Sequence, residues 1–256
     1  MKKINKTPST YCIYKKFEAK DSGKLNFGSH YLAYSARGSM RLEIESRYFF
    51  LQPTKAVWIP ADTEVIVDIP SSITCCSILF DPIVFPDHNQ QILTIDMTPM
   101  TKHMILHCQR WSSDEVSNDE NAQGFFYALA NVIFERMASP TSDWIPRGKT
   151  SMVSRAVDLT MERYMNKLEV VEIASELATT ERTLSRRIVD ETGMKWGDLL
   201  RRIRVVRARE LLASSDLQIT RIGAEVGYLS QSAFNRAFKE ESGFTPREFK
   251  AYCRTV

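Results

Sequence analysis

The hydrophobic positions change period near the middle of the chain. Up to about Pro86 they come in short stretches: Met40-Arg41-Leu42-Glu43-Ile44-Glu45 alternates strictly, as does much of Glu64 to Ile69, and Thr74 to Phe80 is a continuous apolar run. Alternation predicts half-buried strands, and a short unbroken run predicts a strand covered on both faces. Ala36-Arg37-Gly38, Gln52-Pro53 and Ile59-Pro60-Ala61-Asp62 break the stretches apart. Several short strands at this spacing predict a small β-barrel or jelly roll. From about residue 100 the period is helical. Met104, Ile105, Cys108 and Trp111 fall on one stripe and Phe125, Phe126, Leu129, Ile133 and Met137 on another, with an acidic turn around Ser113 to Asn121 between them. Ser139-Pro140-Thr141-Ser142-Asp143 and then Pro146-Arg147-Gly148 have the composition of an exposed, protease-sensitive linker.

Beyond that linker one pattern is written twice, about fifty residues apart. Ile173 to Ala178 matches Ile222 to Gly227, and Thr180 to Gly193 matches Ser230 to Gly243, with one extra residue in the second turn. The paired positions include Leu184 with Phe234, Arg186 with Arg236, and Ile188 with Phe238. Such repetition exposes the structural unit. Ile173 and Leu177, like Ile222 and Val226, lie four apart on one helical face, and the following helix supplies their partners. Between the helices the chain must reverse within a few residues. Gly227 tolerates positive φ there, and Thr180 and Ser230 are N-cap residues. Each unit is therefore a helix-turn-helix. With the apolar residues inward, a helical wheel puts Arg182, Ser185, Arg186 and Val189 outward in the first unit and Ser232, Asn235, Arg236 and Lys239 outward in the second. Those faces are short, polar and basic, as suits a helix entering a major groove.

A third helix, from Trp196 to about Ala213, joins the units. Its apolar positions, including Leu199, Ile203 and Val206, are crowded by Arg201, Arg202, Arg204, Arg207 and Arg209. Eighteen residues span about 27 Å, against about 34 Å between successive major-groove faces, so this rod suits two readers set one helical turn apart. Each of its arginines reads equally as a phosphate clamp, a partner of Glu210 or Asp198, or solvated charge.

The segment from about Val153 to Cys253 resembles the DNA-binding domain of the AraC/XylS family of bacterial transcription regulators. The resemblance rests on residues 180–188 (TERTLSRRI), 222–239 (IGAEVGYLSQSAFNRAFK) and 241–249 (ESGFTPREF). It implies two recognition helices in adjacent major grooves, with Arg182, Ser185 and Arg186 reading from the first and Gln231, Ser232, Asn235 and Arg236 from the second. Two positions depart from the family pattern. Ala178 replaces a turn glycine and Gly223 replaces a helix alanine, which predicts a slightly strained first turn and a looser helix before the second, about 1 kcal/mol each. A weaker resemblance covers Gly28 to Leu32, Arg37 to Met40 and Pro53 to Ala61, which look like the cupin-type effector domain of such regulators. Related domains often carry a histidine shortly after the Trp-Ile-Pro stretch, where this chain has Glu64. His30 and Glu64 alone make no convincing metal site, so no metal and no cofactor is expected. A small-molecule effector would sit inside the barrel, with His30, Tyr34, Trp58 and Glu64 as candidate lining residues; plain core positions for Tyr34 and Trp58 would give the same pattern. In the family the helices after the barrel form the dimer contact, although stripes packing back onto their own barrel look identical in sequence.

The expected architecture is thus α+β in two domains. Residues 1–138 form a cupin-like β-barrel followed by helices, 139–150 a linker, and 151–256 an all-α domain of two helix-turn-helix units joined by a linker helix. Charge agrees: from Lys149 onward 19 Lys and Arg face 15 Asp and Glu, a surplus of +4 in a chain whose net charge is +3, as expected of a domain that meets phosphate. No stretch of eighteen apolar residues and no signal-like leader occurs, and five cysteines without Cys-x-x-Cys spacing fit a reducing cytoplasm rather than a disulfide scaffold. Adjacent Cys75 and Cys76 read as small apolar core residues. The partners expected are double-stranded promoter DNA, a small-molecule effector, a second copy of the chain, and RNA polymerase if the protein is an activator; no membrane is involved. Activation and repression leave no separate mark in the sequence. A cupin enzyme would need a metal cluster, a nucleophilic triad or a phosphate loop, and none is present, so no catalytic residue is expected. A regulator acting through protein contacts alone is the other alternative; it would show no salt-dependent binding to duplexes.

Overall fold

The computed structural model describes residues 10–19, 21–70, 72–85, 91–114, 119–137 and 144–255. The strands are β1 (Tyr11–Phe17), β2 (Gly23–Leu25), β3 (His30–Arg37), β4 (Met40–Ile44), β5 (Arg47–Leu51), β6 (Lys55–Ile59), β7 (Val65–Asp68), β8 (Ile73–Phe80), β9 (Leu93–Asp96) and β10 (Trp144–Pro146). The helices are α1 (Pro99–His107), α2 (Glu120–Met137), α3 (Ser151–Arg163), α4 (Val170–Glu176), α5 (Glu181–Thr192), α6 (Trp196–Ser214), α7 (Ile219–Glu225), α8 (Gln231–Ser242) and α9 (Pro246–Thr255). The chain divides into two units, one built from residues 1–44 and 50–142, the other from 45–49 and 143–255.

In the first unit an antiparallel sheet runs β1-β8-β3-β6-β9, and a second ladder pairs β2 with β7 and β7 with β4. Among the described residues no pairing closes the two ladders into a barrel. The strands predicted at 40–45, 64–69 and 74–80 are β4, β7 and β8. β8 is covered on both faces, which explains its unbroken apolar run. One face, carrying Trp58 and Phe80, meets α2: the Trp58 ring lies 5.2 Å from Phe134, and Phe80 lies 6.5 Å from Phe126. The other face carries Tyr31 and Cys75 into a cavity shared with Leu42 and Val67 of the second ladder. The two predicted helical stripes are α1 with the turn after it, and α2. Ile105, Cys108, Trp111, Phe126, Leu129, Ile133 and Met137 are all buried, so these apolar residues pack within their own unit. The middle of the acidic turn, 115–118, lies outside the described residues.

The second unit is helical apart from one short ladder. β10 pairs with β5 at Trp144↔Phe49, Ile145↔Tyr48 and Pro146↔Arg47, the Arg47 guanidinium covers the Trp144 ring at 4.8 Å, and the Tyr48 hydroxyl donates to Asp158 Oδ1 at 2.8 Å. Residues 144–146 therefore differ from the exposed linker that their composition suggests: Ile145 is buried, because a short apolar stretch with an open ladder edge beside it gains more from pairing than from solvation. Residues 138–143 of that stretch lie outside the described residues. The linker helix predicted from Trp196 is α6, and Leu199, Leu200, Ile203, Val206 and Leu212 are buried along it.

Candidate nucleic-acid interface

Each helix-turn-helix folds through the same sequence of hydrogen bonds. In the first, Leu177 N–H donates to Ile173 O, Ala178 to Ser175 O and Thr179 to Ala174 O; in the second, Val226 donates to Ile222 O, Gly227 to Ala224 O and Tyr228 to Gly223 O. The reversal requires one left-handed residue. Gly227 supplies it at φ +86°, and Ala178 adopts φ +51° in the first turn, so the strain predicted for the missing glycine is present. Gly227 also has no room for a side chain: a Cβ there would lie 2.7 Å from Tyr164 O and 2.9 Å from Met165 O. The glycine at 223, from which a looser helix is expected, has a packing cause: a Cβ there would approach the Phe234 ring to 3.1 Å. At the matching positions of the first unit stand Ala174 and the smaller Leu184, both buried, so the residue change on one helix is matched on the other.

The recognition helices begin and end alike. Thr180 accepts from Thr183 N–H and Ser230 from Ala233 N–H, the bonds expected of N-caps. Gly193 and Gly243 close α5 and α8 in the left-handed conformation. The likeness continues past those glycines, beyond the stretch in which the sequence repeat is evident. The Thr192 hydroxyl donates to Ile188 O and accepts from Met194 N–H, while the Ser242 hydroxyl donates to Phe238 O and accepts from Phe244 N–H.

Leu184 and Ile188, and Phe234 and Phe238, are buried as expected, which turns the opposite faces outward. Arg182 and Arg186 on α5 are exposed and Ser185 is half-buried; on α8 Ser232, Asn235 and Arg236 are exposed and Gln231 is half-buried. Gln231 Nε2 donates to Asn235 Oδ1 at 2.8 Å, one turn along, which fixes two amide groups side by side. Val189 and Lys239 extend the two faces and are also exposed.

The α6 arginines are different. Arg201 donates to Asp198 and Glu241, Arg202 to Glu241, and Arg207 to Glu210. Arg204 donates through Nε to Tyr164 O at 2.8 Å and through Nη2 to Asn166 O at 2.9 Å. Arg209 is buried with its guanidinium 5.1 Å from the Phe249 ring. These side chains tie α6 to its neighbours. The acidic pairs that close each recognition helix take part: Glu241 holds α6, and Glu191 accepts from the Lys149 and Thr150 N–H groups at 2.7 and 2.8 Å, and from the Thr150 hydroxyl. Partial burial opposes the charge of Glu191, but the bonds from Thr150 and Lys149, with Arg187 nearby, together hold its carboxyl below the usual range.

In the first unit a cavity of about 490 Å³ opens between the ladders, lined mainly by apolar side chains such as Ile13, Phe17, Tyr31, Met40, Leu42 and Val67, with Lys15 and Asp21 among its polar groups. None of His30, Tyr34, Trp58 and Glu64 lines it. His30, Tyr34 and Trp58 are buried on the face that meets α2, where the His30 ring stacks on Trp58 at 5.2 Å and the Tyr34 hydroxyl donates to Pro53 O. Glu64 is exposed and pairs with Lys24 at 3.1 Å. Both faces of β3 are apolar, so alternation by itself does not say which of Tyr31 or Tyr34 points between the ladders; the strict alternation of β4 was the available signal, placing Met40 and Leu42 inward. Among the described residues no three of His, Cys, Asp and Glu converge as metal ligands, and no helix is long and apolar enough to cross a membrane. Cys12, Cys75, Cys76 and Cys108 are buried free thiols; burial, with Cys76 beside it, pushes the Cys75 thiol up to about 12, far from the thiolate form that redox chemistry uses.

Residues 173–252 match a family model described as a helix-turn-helix domain. The HTH-type transcriptional regulator NimR of Escherichia coli strain K12 is 22% identical over 229 residues, which cover 88% of this chain and 81% of NimR. The HTH-type transcriptional regulator VirS of Mycobacterium tuberculosis is 40% identical over 80 residues, 31% of this chain but only 23% of VirS. Among solved structures, the C-terminal domain of AraT, a response regulator from Geobacillus stearothermophilus, is 33% identical and covers 40% of this chain and 85% of its own, with a TM-score of 0.39.

Proposed function

We propose that this chain, whose repeat domain belongs to the AraC-type helix-turn-helix family, is a cytoplasmic transcription regulator that reads promoter DNA with α5 and α8 together. The observation that carries the proposal is a contrast among arginines. Arg182, Arg186 and Arg236 stand on exposed faces at the front of α5 and α8 with no hydrogen bond or ion pair in the described structure, whereas the α6 arginines are engaged within the protein. An arginine whose five donors remain free on a recognition helix is available for a bidentate contact to guanine O6 and N7. Ser185, Ser232, Gln231 and Asn235 would supply shorter donors and acceptors beside it, and the Gln231–Asn235 pair would suit an adenine edge. α6 has nineteen residues, a rod of about 28 Å, which suits two readers on one side of the duplex.

The first unit would then receive the signal. Its cavity is within the range of ordinary small-molecule sites, roughly 300 to 1,000 Å³, and its lining favours a compact, largely apolar effector. A second copy of the chain and, for an activator, RNA polymerase complete the expected partners.

Gel shifts of the full chain at two ionic strengths test the reading. Specific binding should weaken steeply as salt rises. Arg186→Ala and Arg236→Ala should each cost about 1 to 3 kcal/mol on the cognate duplex and relax preference at one base pair. Equal weakening on cognate and random duplexes would make these arginines phosphate contacts. Absence of any salt-dependent duplex binding would instead favour a regulator that works through protein contacts alone.

A further inference from the structure

Leu229 stands outside the hydrophobic core of its unit. It is 102% exposed, while among the described residues the next most exposed large hydrophobic, Ile83, is 68% exposed. A single exposed leucine is ordinary on a protein surface; what sets this one apart is its position. The two turns share their hydrogen bonds up to Thr179 and Tyr228, which donate to the matching carbonyls of Ala174 and Gly223 at 3.0 Å in both cases. In the first unit the N-cap, Thr180, follows at once. In the second, Leu229 intervenes before the N-cap, Ser230. Leu229 is therefore the inserted residue. Tyr228 beside it is half-buried, with its ring 5.5 Å from Phe234, so the insertion leaves the core contact in place and sends only the leucine into solvent.

That point is the leading end of α8. A recognition helix enters the major groove by its N-terminal residues, and the apolar feature of a major groove is the C5 methyl of thymine. We infer that Leu229 is a base-reading residue that packs its isobutyl group on a thymine methyl at the edge of the half-site read by α8. The inference rests on the DNA-reading proposal above and extends it from polar to apolar recognition. It also makes the two readers unequal, because α5 has no counterpart to Leu229.

The test uses the full chain and a duplex enriched from a random pool by the wild-type protein. Each thymine in that duplex is replaced in turn by uracil, which keeps every hydrogen-bonding group and lacks only the methyl. Wild type should lose about fourfold in affinity at one thymine, the equivalent of one buried methyl group, and that thymine should lie within about three base pairs of the one whose preference Arg236→Ala relaxes, the helical rise over about seven residues being about 10 Å. Leu229→Ala should bind the parent duplex several-fold more weakly, unfold at the wild-type temperature, and ignore the uracil replacement at that position, while Leu229→Met retains the sensitivity. The inference is overturned if no thymine shows methyl dependence, if Leu229→Ala keeps the wild-type pattern, or if it weakens random duplexes equally. Failure of the wild type to enrich any duplex would be a different result, removing the DNA-reading assignment and this inference with it.

Discussion

Phe234 packs its ring over Gly223, so closely that a Cβ on the glycine would stand 3.1 Å from Cδ1 and 3.2 Å from Cγ. The large side chain on α8 and the missing one on α7 are a matched pair, and at the corresponding positions of the first unit the buried Leu184 and Ala174 divide the volume differently.

Gly223→Ala should therefore destabilise the protein even though alanine favours a helix by about 1 kcal/mol. Overpacking a filled core costs about 1 to 3 kcal/mol, and the net loss expected is about 1 kcal/mol. Combining it with Phe234→Leu, which restores the first unit's pairing, should cost less than the sum of the two single changes. A double-mutant cycle on the unfolding of the C-terminal unit measures this; strict additivity would refute the pairing.

The two left-handed turn residues should respond in opposite senses. Gly227→Ala puts a methyl against the carbonyl oxygens of Tyr164 and Met165 at a φ that alanine adopts with strain. A loss above about 3 kcal/mol, together with loss of duplex binding, is expected. Ala178→Gly relieves strain of about 1 kcal/mol and forfeits somewhat less through the freer unfolded chain, leaving stability unchanged or slightly raised. Thermal denaturation of both variants decides; a harmless Gly227→Ala would contradict the turn geometry.

Glu191 predicts an acid limit to the stability of the first reader. Its folded-state carboxyl is held below the ordinary value, so the stabilisation it brings is fully present above the unfolded value of about 4.3. That stabilisation disappears as pH falls through the lower, folded value. Glu191→Gln should lower stability at neutral pH by about 1 kcal/mol, the size of a lost helix cap, and should flatten the fall below pH 5. An unchanged acid profile in the variant would remove Glu191 from this role.

Arg204 joins the carbonyls that follow α3 to the second turn, where its guanidinium lies 5.6 Å from the Tyr228 ring. Arg204→Ala leaves two carbonyls without their donor and should cost about 1 to 3 kcal/mol in stability. Because the same side chain ties the segment leading into the first helix-turn-helix to the turn of the second, the variant should also tolerate duplexes whose half-sites are one base pair closer or farther apart. Binding measured across a spacing series would show a flatter preference, and an unchanged preference would place the spacing control elsewhere.

The recognition helices were legible because every signal for them is local: N-caps at Thr180 and Ser230, closing glycines at 193 and 243, and apolar positions four apart. The exposed arginines followed from the same helical wheel. The α6 arginines were not separable by sequence. Whether Arg202 meets solvent, phosphate or Glu241 depends on a residue about forty positions away. The lining of the first unit's cavity is not legible in the sequence for a related reason. His30, Tyr34 and Trp58 share a strand face that α2 covers, and an apolar strand does not record which of its two faces meets a helix and which meets another sheet.

The sequence by itself determined the doubled helix-turn-helix, the outward polar faces of α5 and α8, and the strand-rich character of the residues before it, since periodicity, caps and turn residues act over a few positions. Only the tertiary structure decided which arginines are already engaged, that the apolar stripes of α1 and α2 are consumed within their own unit, that residues 144–146 form a strand, and that Tyr31 rather than Tyr34 faces the cavity. Those outcomes are set by contacts between residues far apart in the chain, where burial and pairing compete among several partners that local patterns do not rank.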